Sequence, residues 1–434
     1  MDYVDTYYRR TLIDPGEPFD PLSTTHQADV CVIGGGMAGI NTALELARLG
    51  RQVCVLEANR ISWGASGRNG GFVSPGYSTG QEHIRRKVGQ DRADALFRLS
   101  LEGMQRIVDN INELRIPGIQ LRYGALKTLR YDTASSRYAL EQQRDLLLQK
   151  FNYPLRLVQR NELREKLRST KYFAGVHDNN AFQFHPLNYS LALVQHIRAL
   201  GGSVFEQSPA VGVTRRDEGY SVVTPAGNVL AKDVVYATGG YTGVLEPRLK
   251  RSYLPIATYV LLSEKHPELL ASAIRTRDGV GDSRRAGDYY RLVEGGEQLL
   301  WGGRITTRTS EPRALASLLR STMVSTYPQL AELKVDVAWS GLMSYARHLM
   351  PQIHKLGDGR WCCTAFGGHG MNTATIGGRL VAEAIVGESE RYRLFEPYGL
   401  VWNGGLLGTG GVQLTYWSYQ LLDYLKERGS ASRP

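Results

Sequence analysis

Apolar residues gather first at residues 29–33 (DVCVI), a run too short for a helix, which leads straight into Gly34-Gly-Gly36-Met-Ala-Gly39. Beyond these glycines apolar residues recur at Ile40, Ala43, Leu44 and Ala47, the spacing of one helix face, until Gly50 stops the pattern. A second short apolar run, residues 53–56, closes on Glu57. Strand, glycine turn, helix and strand follow one another, a compact βαβ start. Further on, residues 124–131, 253–263, 288–293 and 298–304 alternate or run apolar as strands of one mixed sheet, and residues 220–230 as a hairpin. Residues 233–240 form a strand running into a glycine turn. Helices are predicted over 82–115 and 311–327, over a run ending at Leu200 before Gly201-Gly202, and over 373–386 after a glycine loop.

Each residue of the first unit has a physical task. Gly34 permits the tight turn, Gly36 lets the backbone approach a pyrophosphate, and Gly39 lets the helix pack on the strand. The helix N-terminus offers unpaired N–H groups and the positive end of its dipole to phosphates. Glu57 stands where a carboxylate can take both ribose hydroxyls and would repel a 2′-phosphate. A plain βα turn with a surface Glu explains the same residues less completely.

Composition narrows the function classes. A chain of 434 residues, 42% hydrophobic, has room for two buried cores. The net charge of +10 comes from scattered basic residues without a tail or a recognition module, so it speaks for solubility and attraction of anions, not for nucleic acid. A weak affinity for acidic membrane surfaces stays open. Cys31, Cys54, Cys362 and Cys363 have neither disulfide-framework nor zinc spacing, so buried thiols, no metal and a reducing, cytoplasmic compartment are expected. Residues 1–28 are polar and hold no apolar signal core. The tail, residues 395–425, carries Phe395, Tyr398, Trp402, Tyr416, Trp417, Tyr419 and Tyr424 between several glycines. It is too interrupted to span a bilayer and reads as a cap over the cofactor unit or substrate mouth, with a membrane-surface or subunit contact as the alternative.

Residues 58–71 (ANRISWGASGRNGG) form a glycine-rich stretch that no NAD-binding unit requires at this place. The stretch resembles the GASGRNGG segment of the D-amino-acid oxidase superfamily of FAD-dependent oxidoreductases, and within it the gamma-glutamylputrescine oxidoreductases and D-amino-acid dehydrogenases. Residues 178–202, Thr238-Gly239-Gly240 and residues 365–372 (AFGGHGMN) extend the resemblance over nearly the whole chain. It implies an α/β fold: a Rossmann-like FAD-binding domain made of residues 25–80, 186–250 and 336–390, and a second α+β substrate domain, residues 81–185 and 251–335, built on a mixed sheet. Residues 391–434 would be the aromatic-rich cap.

The same resemblance implies FAD contacts at Gly34, Gly36, Met37, Ala38, Gly39, Glu57, Ala58, Arg60, Ala65, Ser66, Asn69, Gly70 and Gly71, with Ser66 near phosphate and Asn69 to Gly71 near the isoalloxazine. Val211 would hold the adenine side through its backbone. Thr238 and Gly239 would lie beside the cofactor, and Gly368, His369, Gly370 and Met371 over the flavin pyrimidine edge. Members that attach flavin covalently use a cysteine in a particular motif, which Cys362-Cys363 lack, so the FAD is expected to be dissociable.

The implied activity is oxidation of a CH–NH bond of an amine or amino acid by hydride transfer to flavin N5, which needs a neutral amine and a dry pocket but no strong protein base. His369 is a candidate for bonding the flavin or polarising the amine, or else a loop histidine whose backbone alone matters. Tyr259 and Tyr290 lie on strands expected to line the pocket, with sheet packing as the plainer role. Arg68 and Arg304 are candidates for an anionic substrate end, with solvation as the alternative. Monomeric sarcosine oxidases carry a lysine that assists oxygen reduction; the corresponding strand here, residues 254–263, has none, which leaves oxygen and a quinone-type acceptor open. At Met350-Pro-Gln-Ile-His354 the sequence departs from the family, which commonly has glycine near His354. An oxidase or dehydrogenase of a 2-hydroxy acid and a non-catalytic electron-transfer subunit are the alternative functions.

Overall fold

The computed structural model describes residues 1–14, 16–284, 287–307, 309 and 314–431. Two sheets organise it. In the first, the strands run in the order Gln352–Gly357, Arg360–Thr364, Asn228–Tyr236, Thr25–Ile33, Val53–Leu56 and Ser203–Phe205. From Arg360–Thr364 to Ser203–Phe205 the pairing is parallel. Parallel strands are covered on both faces, which is why residues 30–33 and 53–56 are apolar without alternation and fully buried. The helices Met37–Arg48, Pro186–Ala199, Gln90–Leu114 and Gly370–Val386 pack together over one face and share its core. The hairpin expected at 220–230 is present as Gly219–Val223 against Asn228–Tyr236.

The second sheet runs Val335–Ala346, Tyr253–Ser263, Gln298–Thr306, Tyr289–Val293, Gly279–Asp282, Arg122–Leu129, Ala174–Gln183 and Phe72–Val73. Gly279–Asp282 and Arg122–Leu129 pair in parallel and their outer neighbours antiparallel, so the sheet is mixed, as expected. One of its faces closes a core with the helices Arg160–Lys166, Pro267–Ala273 and Leu315–Thr326. Residues 311–313, the start of the helix predicted over 311–327, lie outside the described residues. Tyr253–Ser263 is buried nearly throughout and pairs on both edges, with Gln298–Thr306 and Val335–Ala346. The second sheet therefore takes in Val335–Ala346 and Phe72–Val73, from segments expected with the cofactor unit.

The helix predicted over 82–115 is two helices, Gln81–Val88 and Gln90–Leu114, broken at Gly89, whose φ of +81° no helix admits. The aromatic tail forms the helix Gly405–Ala431. Its inner face bonds to the second sheet and neighbouring loops through Gln413 to Thr306, Asp423 to Tyr131 and Glu427 to Arg130. Its outer face leaves Leu406, Leu414, Trp417 and Leu421 exposed. Among the described residues no helix is long and apolar enough to cross a membrane. All four cysteines are buried and free, Cys31 facing Cys54 on adjacent strands.

Candidate active site

A cavity of about 980 Å³ lies between the two sheets. One end is the glycine turn. A Cβ on Gly34 would meet Ala237 O at 2.6 Å, and one on Gly39 would meet Gly34 O at 1.9 Å, so the helix rests directly on the turn, as the spacing predicts. Gly39 accordingly acts through packing and does not line the cavity. At Gly36 the nearest atom is Ser66 Oγ, 3.1 Å from where a Cβ would stand, and the position opens on the cavity with Gly34, Met37 and Ala38.

Glu57 ends its strand at the cavity wall and accepts N–H bonds from Gly35 and Asn59, both 2.8 Å. Burial pushes its pKa up, and the Asn59, Gly35 and Ala58 N–H groups act against this. A carboxylate has about four acceptor sites, so these N–H groups leave it room for a hydroxyl donor. Ala58 and Ala65 line the cavity beside it. Ser66 Oγ accepts the Met37 N–H at 2.9 Å, at the first turn of the helix, which leaves its hydroxyl proton to donate. Asn69 knits its own loop, donating to Ala65 O and Ser66 O and accepting the Gly71 N–H. Asn69 and Gly70 line the cavity; Gly71 does not, and its carbonyl accepts the Phe184 N–H at 3.1 Å, just past the strand Ala174–Gln183.

The expected contact at Arg60 is corrected. Its guanidinium pairs with buried Glu206 at 2.8 Å and lies over the Tyr3 ring, turned away from the cavity. Glu206 in turn accepts the N–H groups of Phe19 and Ile61, an arrangement with no local sequence signal. Val211 lines the cavity, and its N–H is taken by Val223 O at 2.8 Å. Thr238 and Gly239 line it at the turn after Asn228–Tyr236.

The other end is the loop before Gly370–Val386. Gly367 N–H bonds Ser344 O and Gly368 N–H bonds Ser78 Oγ, and the helix start carries no side-chain cap. Gly368, His369, Gly370 and Met371 all face the cavity, presenting the uncapped N–H groups and positive dipole end of a 17-residue helix to it. His369 Nε2 lies 3.5 Å from Ser74 Oγ. Burial, with Lys127 nearby, lowers its pKa to about 4, so the ring is neutral at neutral pH.

Both tyrosines expected on the pocket wall are off by one position. Tyr259 is buried in the core of the second sheet, and its neighbour Thr258 faces the cavity. Tyr290 is buried too, stacked on Trp301 at 4.4 Å and bonded to Tyr327, while Tyr289 faces the cavity. Strand alternation sends adjacent residues to opposite faces, and both faces of this sheet are apolar enough to hide which is which. Tyr289 crosses Gly302 on the next strand, where a Cβ would stand 2.1 Å from its ring, and reaches Gly70, where one would stand 2.7 Å away. Arg304 is not on the cavity wall; it donates to Thr322 Oγ1. Arg68 is on the wall, yet its guanidinium stacks on Trp63 at 4.0 Å and donates to Trp63 O and Ser340 O, so it fastens the glycine-rich loop to the strand Val335–Ala346. His354 is a buried strand residue paired with Cys362, and burial lowers its pKa to about 4. Lys127, Tyr345 and Tyr416 line the cavity without having been expected there.

The family model described as "DAO: FAD dependent oxidoreductase" matches residues 29–384. The chain belongs to the DAO family of FAD-dependent oxidoreductases. Gamma-glutamylputrescine oxidoreductase of Escherichia coli K12 is 33% identical over 396 residues, 91% of this chain and 92% of that one. A probable oxidoreductase, OrdL, of Haemophilus influenzae is 31% identical over 413 residues, 93% and 94% of the two chains. The glycine oxidase structure from Geobacillus kaustophilus superposes with a TM-score of 0.71 at 20% identity, covering 87% of this chain and 99% of that one, and shows the shared fold. This DAO-family member is thus a flavoenzyme acting on amines or amino acids. Its residues fit FAD: a glycine cradle that a Cβ at Gly36 would fill, a carboxylate with acceptor sites to spare, and an uncapped helix N-terminus at the far end of the same cavity.

Proposed function

We propose that this enzyme oxidises the CH–NH bond of a primary or secondary amine or amino acid, giving an imine that hydrolyses to a carbonyl. One observation carries the reading. A single cavity joins the dinucleotide cradle to the second sheet, and among the described residues its one histidine, His369, is held neutral. Bound FAD, held non-covalently, supplies the acceptor for the hydride at N5. The residues of 25–80, 186–250 and 352–390 outside the second sheet hold it, with Gly34, Gly36 and Ser66 at the phosphates and Glu57 at the ribose. The uncapped start of Gly370–Val386 stabilises negative charge at the pyrimidine edge. Tyr289, Thr258 and Tyr345 wall the reacting end, and Tyr416 closes it from the C-terminal helix, excluding water. A neutral His369 accepts a hydrogen bond from the substrate amine without taking its proton.

Anaerobic mixing with a panel of amines, D-amino acids and gamma-glutamylputrescine-like compounds tests this: one or more bleaches the flavin. Only an unprotonated amine has a lone pair to expel the hydride, so reductive kcat/KM rises with pH through the amine's ionisation. His369→Asn leaves that limb in place, since His369 has lost its proton by about pH 4 already. A flavin bleached by a 2-hydroxy acid and by no amine overturns the C–N assignment.

The strand Tyr253–Ser263 turns Thr258, not a lysine, to the cavity. Reoxidation by oxygen is therefore expected to be slow beside reoxidation by a quinone. Stopped-flow reoxidation compares the two, and rapid stoichiometric peroxide release in air refutes the expectation.

A further inference from the structure

We propose that Lys127 is the anchor for a carboxylate on the substrate and so sets the enzyme's preference for amines that carry one. This rests on the amine-oxidising reading above and gives it a substrate class.

The strand Arg122–Leu129 alternates across the second sheet. Leu126 and Thr128 are buried against the core, whereas Ala125 and Lys127 look into the cavity. Lys127 is exposed, but to the cavity, and protein encloses the rest of it. In the sheet it stands between Val176 and Gly281. A Cβ added at Gly281 would meet nothing within 4 Å, so the sheet surface beside Lys127 is open there. Leu147, Leu155 and Val176 make the adjoining wall apolar, with Gln143 as its polar member.

Every other charge on the cavity wall is already occupied by protein. Glu57 accepts from Gly35 and Asn59. Asp178 accepts from Tyr153 and from the N–H groups of Asn180 and Ala181. Asp282 is paired with Arg284 at 2.5 Å, and Arg68 is held by Trp63 and Ser340. No described carboxylate is paired with Lys127. Burial alone lowers its pKa, with no acid opposing the shift. A cavity-facing ammonium without a carboxylate partner gains from a carboxylate delivered by the ligand. Lys127 and His369 line the same cavity, so a substrate whose amine meets His369 can extend toward Lys127.

The test uses the holoenzyme and two unreactive probes, hexanoate and hexanamide, titrated against the visible absorbance of the bound flavin. The wild type is expected to bind hexanoate about tenfold or more tightly than hexanamide. Lys127→Met abolishes that preference with flavin content and hexanamide binding unchanged, and Lys127→Arg keeps part of it. An undiminished preference in Lys127→Met overturns the assignment. So does loss of flavin from that variant, which would make Lys127 a cofactor ligand, and so does a change confined to reoxidation by oxygen. Should no amine reduce the wild-type flavin while the preference behaves as expected, the amine reading falls and the carboxylate anchor stands.

Discussion

Gly36→Val is expected to give a colourless, folded protein where the wild type is yellow and releases intact FAD on denaturation. Ser66 Oγ already stands 3.1 Å from the position of an added Cβ, and the remaining space around it is the cavity itself. A branched side chain there occupies the room that a pyrophosphate needs against the helix start, while the backbone, at φ −82°, accepts valine without strain. Affinity for FAD should fall at least about a hundredfold, roughly 2.7 kcal/mol. Flavin absorbance per protein, with circular dichroism as the check on folding, measures it. Full flavin content in a folded variant sinks the assignment of the turn.

The second large effect is expected at Gly302→Val, far in sequence from the glycine-rich segments. The added Cβ would fall within 2.1 Å of the Tyr289 ring, which must then leave its place across Gly302 and against Gly70 and Phe72. Overpacking of this kind destabilises by about 1–3 kcal/mol. The larger consequence is at the reacting end, where a shift of about 1 Å in a wall residue is enough for a hundredfold loss of kcat/KM. Tyr289→Phe, which keeps the ring and removes the hydroxyl, separates packing from hydrogen bonding and should lose far less. Wild-type turnover in folded Gly302→Val would show that the ring has no positioning role.

The cofactor end was legible in the sequence because its chemistry is backbone chemistry. Gly34, Gly36, Gly39 and Glu57 stand at positions that spacing alone defines, and the structure has the tight turn, the helix contact and the strand-end carboxylate there. The wall of the reacting end was not legible, because it is made by side chains on strands buried on both faces. There alternation gives no contrast, and a shift of one residue exchanges Tyr259 for Thr258 and Tyr290 for Tyr289. The partners of Arg60 and Arg68 were not legible for a different reason: each finds acceptors through long-range contacts, Glu206 and Ser340, that no local pattern announces. Lys127 was hidden in a strand, Arg122–Leu129, with no motif around it. The helix Gly405–Ala431 was masked by its glycines, several of which fall in its first two turns; Asn403 Oδ1 accepts the Gly405 N–H there.

The cavity wall is drawn from Ile33 to Tyr416, from both sheets and from the C-terminal helix. A ligand that spans it touches residues far apart in the sequence and meets nothing comparable in the unfolded polymer. Binding is then linked to folding by mass action: at a free flavin concentration a hundred times Kd the native state gains about 2.7 kcal/mol. For this chain the prosthetic group is also a ligand that selects the folded ensemble, so its melting temperature is a function of flavin supply as well as of sequence.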